Sequence, residues 1–320
     1  MKNSPTTPFP FLSLSNPCGE VLPLAELKKD LEFNEEISEI VDILKNIAIS
    51  YFHHLKQRER FEEFTSNLEN FLQGVDFEGV EHPFLETESV PKSVRSETSD
   101  RELVVIITSD EPFVGGLNIR VINAALSEAK LRTTGLVVIG EQGRNYLEET
   151  DKPFTYFRGI DEELEYQQIK EVKDYLLSEY LKENLKRVIV VYPHFISFSH
   201  QEVEVFQLLP YKSVGSEQYA VDKKLPTANC QLSAGSILIE PSLNRVADYL
   251  IRLWVGEKLY GVFYESKLSE LAARAMHLEG SFLELSRIRK DLKLQYIRSL
   301  HEAMDKANRD IFASRTLWGE

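Results

Sequence analysis

The sequence predicts an α/β protein in which long N- and C-terminal helices form a long antiparallel coiled coil, with a Rossmann-like α/β domain inserted between them. Three observations carry this. Both ends of the 320-residue chain hold long stretches with a single apolar stripe. The middle alternates short apolar runs with helical patterns. A helix as long as the C-terminal pattern needs a partner, and only the other end of the chain offers one of comparable length.

Taken in order, residues 1–22 read as a flexible extension. Their apolar part is short and broken by Pro8 and Pro10, unlike a secretion signal. Residues 23–74 form the predicted N-terminal coiled-coil helix. Leu24, Leu27, Leu31, Ile37, Ile40, Leu44, Ile47, Tyr51 and Leu55, then Phe61, Phe64, Leu68 and Phe71, recur mainly at steps of three and four. Pro23 suits a helix start and Gly74 a stop. Residues 75–101, polar and holding two prolines in "EHPFLETESVPKSVRSETSD", are a connector.

Residues 102–245 are the predicted α/β domain. Its strands are placed at Leu103–Thr108, Gly135–Ile139 and Arg187–Val191, and its helices at 119–131, Gly143–Glu149 and Leu164–Leu181. Short strand–helix–strand connections imply parallel pairing in a helix-covered sheet. "GSILIEPS" reads as one more strand in a stretch, 211–240, that is otherwise hard to assign. Residues 246–314 form the C-terminal coiled-coil helix. Its stripe runs through Leu268, Leu271, Ala275, Leu278, Phe282, Leu285, Ile288, Leu292 and Tyr296 to Ala303, Ala307 and Ile311. Sixty-odd helical residues span about 90 Å. Residues 315–320 are a tail.

Composition excludes several classes. A formal net charge of −14 argues against a nucleic-acid binder. Cys18 and Cys230 show no CxxC spacing, so neither a disulfide framework nor a cysteine metal site is expected, which fits a reducing cytoplasm. The longest apolar runs fall far short of the roughly 20 residues needed to cross a bilayer.

The stretch that decides between enzyme and non-enzyme is "TSDEPFVGGLN", Thr108 to Asn118. A strand, a glycine turn and a helix are the setting of a Rossmann-like phosphate site, and Glu141 lies after the next strand, where such folds bind ribose. The fingerprint itself is absent: only Gly115-Gly116 stand together, with no spaced third glycine and no Gly-Lys-Ser/Thr. Asp110 and Glu111 would repel phosphate. The alternative to a nucleotide site is a tight strand-to-helix turn.

Other chemistry is thinner. His53 and His54 are adjacent on a helix and point apart. His194, His200, His277 and His301 match no metal-ligand spacing, and "ISFSHQE", placed after a strand, has no supporting nucleophile motif. No catalytic residue, metal site or cofactor is expected.

Four stretches resemble the gamma subunit of F-type ATP synthases, the central rotor shaft. They are Ser109-Asp110 with Gly115-Gly116-Leu117-Asn118; Phe195-Ile196 with Leu208-Leu209-Pro210; Leu259-Tyr260, Glu265-Ser266, Ser269-Glu270 and Ala272-Ala273-Arg274; and Leu292, Leu294-Gln295-Tyr296 and Arg298. Order and spacing hold from about residue 24 to 314. The family's architecture is the one reached above from length and periodicity.

The resemblance implies a divergent member, a non-catalytic shaft coupling proton-driven rotation to ATP synthesis. Its partners would be alpha and beta subunits of a catalytic hexamer, an epsilon-type subunit and a membrane rotor ring. The place would be the cytoplasmic side of the cell membrane, as a peripheral subunit. Gln295, Tyr296, Arg298 and His301 are the candidate hexamer contacts. Gly115, Gly116, Leu117, Asn118, Glu270 and Arg274 match the family as structural residues, and the plainest reading of Arg274 is an intra-domain or surface ion pair. Alternatives are a shaft of a paralogous rotary ATPase, a coiled-coil scaffold without a motor and a nucleotide-binding Rossmann-like enzyme. The departures are an acidic N-terminal helix (Asp30, Glu32, Glu35, Glu36, Glu39, Asp42), Glu111-Pro112 in the turn, Leu300-His301 where the family often has Arg-Gln, and Gly280-Ser281-Phe282-Leu283 in place of an alanine-rich run.

Overall fold

A computed structural model describes residues 23–57, 61–74, 82–86, 101–129, 134–150, 152–161, 164, 166–212 and 242–317. The extension before residue 23, both cysteines, most of the connector, nearly all of "GSILIEPS" and the last three residues lie outside that set.

The elements in chain order are α1 (Leu24–Lys56), α2 (Phe61–Gly74), β1 (Leu85–Glu86), β2 (Glu102–Ile107), α3 (Leu117–Ala129), β3 (Thr134–Ile139), α4 (Glu141–Glu148), β4 (Phe154–Phe157), α5 (Tyr166–Lys182), β5 (Arg187–Ser197), β6 (His200–Leu209), β7 (Tyr211–Lys212) and α6 (Leu243–Leu317). They fall into two compact units, residues 44–278 and residues 1–43 with 279–320.

In the first unit a five-stranded sheet runs in the order β4-β3-β2-β5-β6. The first four strands are parallel, and β6 returns antiparallel along β5. Every residue of β2 is buried, as a central parallel strand covered on both faces requires. Side chains alternate between faces. Leu103, Val105, Ile107, Val137, Val188 and Val190 pack with Ile169 and Leu176 of α5, Leu72 of α2, and Ile251, Val255 and Phe263 of α6. Val104, Ile106, Leu136, Val138, Ile189 and Val191 pack with Val121, Ile122 and Ala125 of α3 and Leu147 of α4. The product is a three-layer α/β/α sandwich. Fully burying one such aliphatic side chain stabilises by roughly 1.5–3 kcal/mol.

The N- and C-terminal helices run antiparallel. Glu35 of α1 faces Arg289 of α6 at 3.6 Å, in the second unit. In the first, the Tyr264 hydroxyl donates to the Leu55 carbonyl at 3.4 Å, and Lys258 pairs with Glu69 of α2 at 2.9 Å. Within the first unit, partner numbers fall on α6 as they rise from α1 to α2. Leu27 and Leu292 are buried in the second unit; Phe52, Leu55, Leu268, Leu271 and Ala272 form a cluster in the first.

Four expectations need correction. The stripe from Leu24 to Phe71 was expected on one helix and lies on two, α1 and α2. The strand expected at Arg187–Val191 extends to Ser197, so "ISFSHQE" is the β5–β6 hairpin. Strands β4 and β6 are additions, and the sheet is mixed. The helices of the sandwich begin at Leu117, Glu141 and Tyr166. Edge strands with one solvent face lack the continuous apolar run that marks β2. Among the described residues, no helix is long and apolar enough to cross a membrane.

Candidate functional site: the glycine turn against the C-terminal helix

The turn after β2 is held by its own side chains. Asn118 accepts the Ser109 backbone N–H at 3.2 Å and donates to the Ser109 hydroxyl at 2.8 Å; that hydroxyl donates to the Glu111 carbonyl at 2.8 Å. Gly115 takes φ +60°, the left-handed region open to glycine, and the His277 ring lies 3.4 Å from where its Cβ would stand. Gly116 has nothing within 4 Å of such a Cβ.

Asp110 turns away from this loop to the neighbouring one. Its Oδ1 accepts the backbone N–H of Glu141, at the start of α4, at 2.8 Å and that of Gly159 at 3.0 Å. A Cβ at Gly159 would stand 2.3 Å from that oxygen. A carboxylate of the chain itself thus sits where a helix N-terminus would otherwise offer amides to an anion. Glu141, the ribose candidate, accepts from the Tyr156 hydroxyl at 2.8 Å. Burial, and next the bond to Glu141, push that phenol up to about 12, so it stays a donor.

In doubly wound sheets, ligands bind beyond the carboxyl ends of the strands, where strand order reverses. Here that point lies between β2 and β5, and helix α6 lies against it. Ala273 packs with Val114 and Leu117. The Arg274 guanidinium reaches Glu111 of the turn with Nη1 at 2.7 Å and Glu270 with Nη2 at 2.6 Å. Lys267 Nζ lies 3.2 Å from the same Glu270 carboxylate. Glu270, Lys267 and Arg274 are all buried. Burial pushes the Glu270 carboxyl above its ordinary range, and the two cations pull it back.

The structure therefore brings Gly115, Leu117, Glu270 and Arg274 into one contact, with Asn118 bracing the turn. This arrangement docks one element on another. The sequence reading missed Asp110 as the clamp between two loops, and Glu111, Lys267, Ala273 and His277 as members of the contact. The signal was the spacing Lys267, Glu270, Ala273–Arg274, His277, one face of a helix. Gln295, Tyr296, Arg298 and His301 lie elsewhere on α6, in the second unit; the first two are half-buried and the last two exposed.

Comparison with known proteins points one way. Residues 23–307 match the family model described as ATP synthase. The chain is 27% identical to the ATP synthase gamma chain of Clostridium beijerinckii over 282 residues, covering 86% of this chain and 91% of that one. It is 26% identical to the corresponding chain of a Nostoc species over 265 residues, 75% of this chain and 81% of that one. Its fold resembles a rotor chain of the Euglena gracilis mitochondrial ATP synthase, with a TM-score of 0.59 at 17% identity, covering 88% and 98% of the two chains. It also resembles a chain of the central stalk and c-ring structure from Tetrahymena thermophila, with a TM-score of 0.51 at 19% identity, covering 76% and 99%.

Proposed function

The chain belongs to the ATP synthase family, and on that premise we propose that it is the gamma-type central shaft of a rotary F-type complex, transmitting torque and performing no ATP chemistry itself. One observation carries this: the paired helices hold large apolar residues exposed to solvent. Phe33, Ile40 and Ile43 stand out on α1, and Leu294, Ile297, Met304, Ile311 and Phe312 on α6, with Phe312 at 68% exposure. Apolar side chains exposed along paired helices in the free chain mark a surface that another chain covers in an assembly.

On this reading the covering surface is an apolar sleeve in a hexamer of alpha and beta subunits, where nucleotide and magnesium bind. The shaft's asymmetry holds each catalytic site in a different state, and rotation exchanges those states by rigid-body contact. Gln295, Tyr296, Arg298 and His301 are proposed contacts with the hexamer, Arg298 through bidentate pairing with a carboxylate. The α/β sandwich meets an epsilon-type subunit and the membrane rotor ring, making the chain a peripheral subunit on the cytoplasmic side of the membrane. The docking of Arg274 and Ala273 on the glycine turn gives that sandwich a stiff hold on α6.

The test is co-purification with alpha and beta subunits from the same cell, with the full chain and with one truncated from Asn308. The full chain should join the hexamer and confer coupled ATPase; the truncation should weaken assembly modestly and coupling more. ATP hydrolysis by the isolated chain, lost on Arg298→Ala, would overturn the non-catalytic assignment.

A further inference from the structure

On the part of β5 that runs past the carboxyl end of β2, three ligand-type side chains from three elements converge. His194 stands on β5, Glu204 on β6 and Glu265 on α6. The His194 Nδ1 atom lies 2.5 Å from Glu265 Oε2 and 3.4 Å from Glu204 Oε2. One ligand atom from each lies within 4.8 Å of the others. We propose that His194, Glu204 and Glu265 form a divalent transition-metal site, suited to zinc, that pins the β5–β6 hairpin to the C-terminal helix.

Ligand chemistry supports this. One imidazole nitrogen with two carboxylates is an N/O donor set that suits zinc or manganese better than calcium or magnesium, which take oxygen-only shells. Donors about 2.1 Å from a tetrahedral zinc stand about 3.4 Å apart, so the His194–Glu204 separation already fits, and the His194–Glu265 pair, hydrogen-bonded to each other here, has to open by about 1 Å. Charge points the same way: two carboxylates face one imidazole, so even a protonated histidine leaves the trio negative. The Lys258 ammonium, which lines the adjoining cavity of about 280 Å³ with Tyr192 and Glu265, is held by Glu69 at 2.9 Å.

The surroundings also orient a ligand. The Tyr192 hydroxyl donates to Glu204 at 2.9 Å, fixing the carboxylate as partners of metal ligands do. The three ligands are each partly exposed, leaving room for water in a fourth position.

The test uses the full chain, stripped of metal by a chelator and titrated with zinc chloride by calorimetry, with magnesium chloride as comparison. The proposal expects one equivalent of zinc bound far more tightly than magnesium, and a higher thermal midpoint on addition. His194→Gln and Glu204→Gln should each abolish that equivalent. Tyr192→Phe should weaken it by roughly tenfold. Circular dichroism reports whether each variant folds; should His194→Gln unfold, the more exposed Glu204→Gln carries the decision. No saturable zinc binding, or zinc binding unchanged in a folded Glu204→Gln chain, overturns the proposal. None of these readouts depends on rotation or ATP hydrolysis.

Discussion

Arg274 and Glu270 lie one turn apart on the C-terminal helix, both buried, with guanidinium Nη2 2.6 Å from carboxylate Oε1. The same guanidinium extends to Glu111 of the glycine turn at 2.7 Å. This pair converts a strand-to-helix turn into a joint between the sheet and α6. Arg274→Ala leaves Glu270 buried with Lys267 alone, and should cost about 3–5 kcal/mol in chemical denaturation of the full chain. Glu111→Ala removes a carboxylate that is mostly in water, and should cost about 1 kcal/mol or less. Equal losses from the two variants would mean that the buried charge pair does not dominate the joint.

The two glycines of the turn should behave differently. Gly115→Ala forces a side chain into the left-handed region and against His277, so it should destabilise by about 1 kcal/mol or more. Gly116→Ala meets open space and should be close to neutral. Thermal midpoints of the two variants check this; a reversed order would contradict the geometry.

Asp110→Ala should remove the acceptor shared by the Glu141 and Gly159 amides. A loss of about 1–2 kcal/mol is expected, in line with a missing helix cap. Hydrogen exchange should quicken first at those two amides. Unchanged protection there would show that another acceptor takes over.

The paired helices can be checked by chemistry. Cysteines introduced at Glu35 and Arg289, whose side chains approach at 3.6 Å, should be joined within one chain by a short bifunctional thiol reagent. The two native cysteines are first replaced by serine. Only intermolecular products would contradict antiparallel pairing.

His82 sets a pH dependence. Burial lowers its pKa below the ordinary 6.5, against the opposing pull of Asp248. The folded state thus holds it neutral more firmly than the unfolded state does. The stability that follows is fully present above pH 6.5 and is lost as pH falls through the lowered value. His82→Gln should flatten that part of the stability–pH curve; an unchanged slope would assign it to another group.

Much of the fold was legible in the sequence because burial writes continuous apolar runs and stripes. Leu103–Ile107 is such a run, buried on both faces, and the strand–turn–helix reading of Thr108–Asn118 followed from it. Strand β6 was not legible: "HQEVEVFQLL" lies on the sheet edge and carries Glu202 and Glu204 among its apolar residues. Strand β4 is half-buried along its length and carries no strong pattern. Neither proline nor glycine marks the end of α1 at Lys56, so one stripe passed for one helix. The glycine turn and the Glu270–Arg274 segment were both singled out, but their contact spans more than 150 residues, and no local pattern announces such a pairing.

The central claim is that this chain turns inside a ring of catalytic subunits, and single-molecule rotation tests it most directly. The hexamer of alpha and beta subunits is fixed to a surface, and a probe is attached to the α/β sandwich of this chain. With ATP, the probe should rotate stepwise in one direction, and a crosslink between the chain and the hexamer should stop rotation and ATP hydrolysis together. A hexamer that hydrolyses ATP at full rate while the probe stays still would contradict the account.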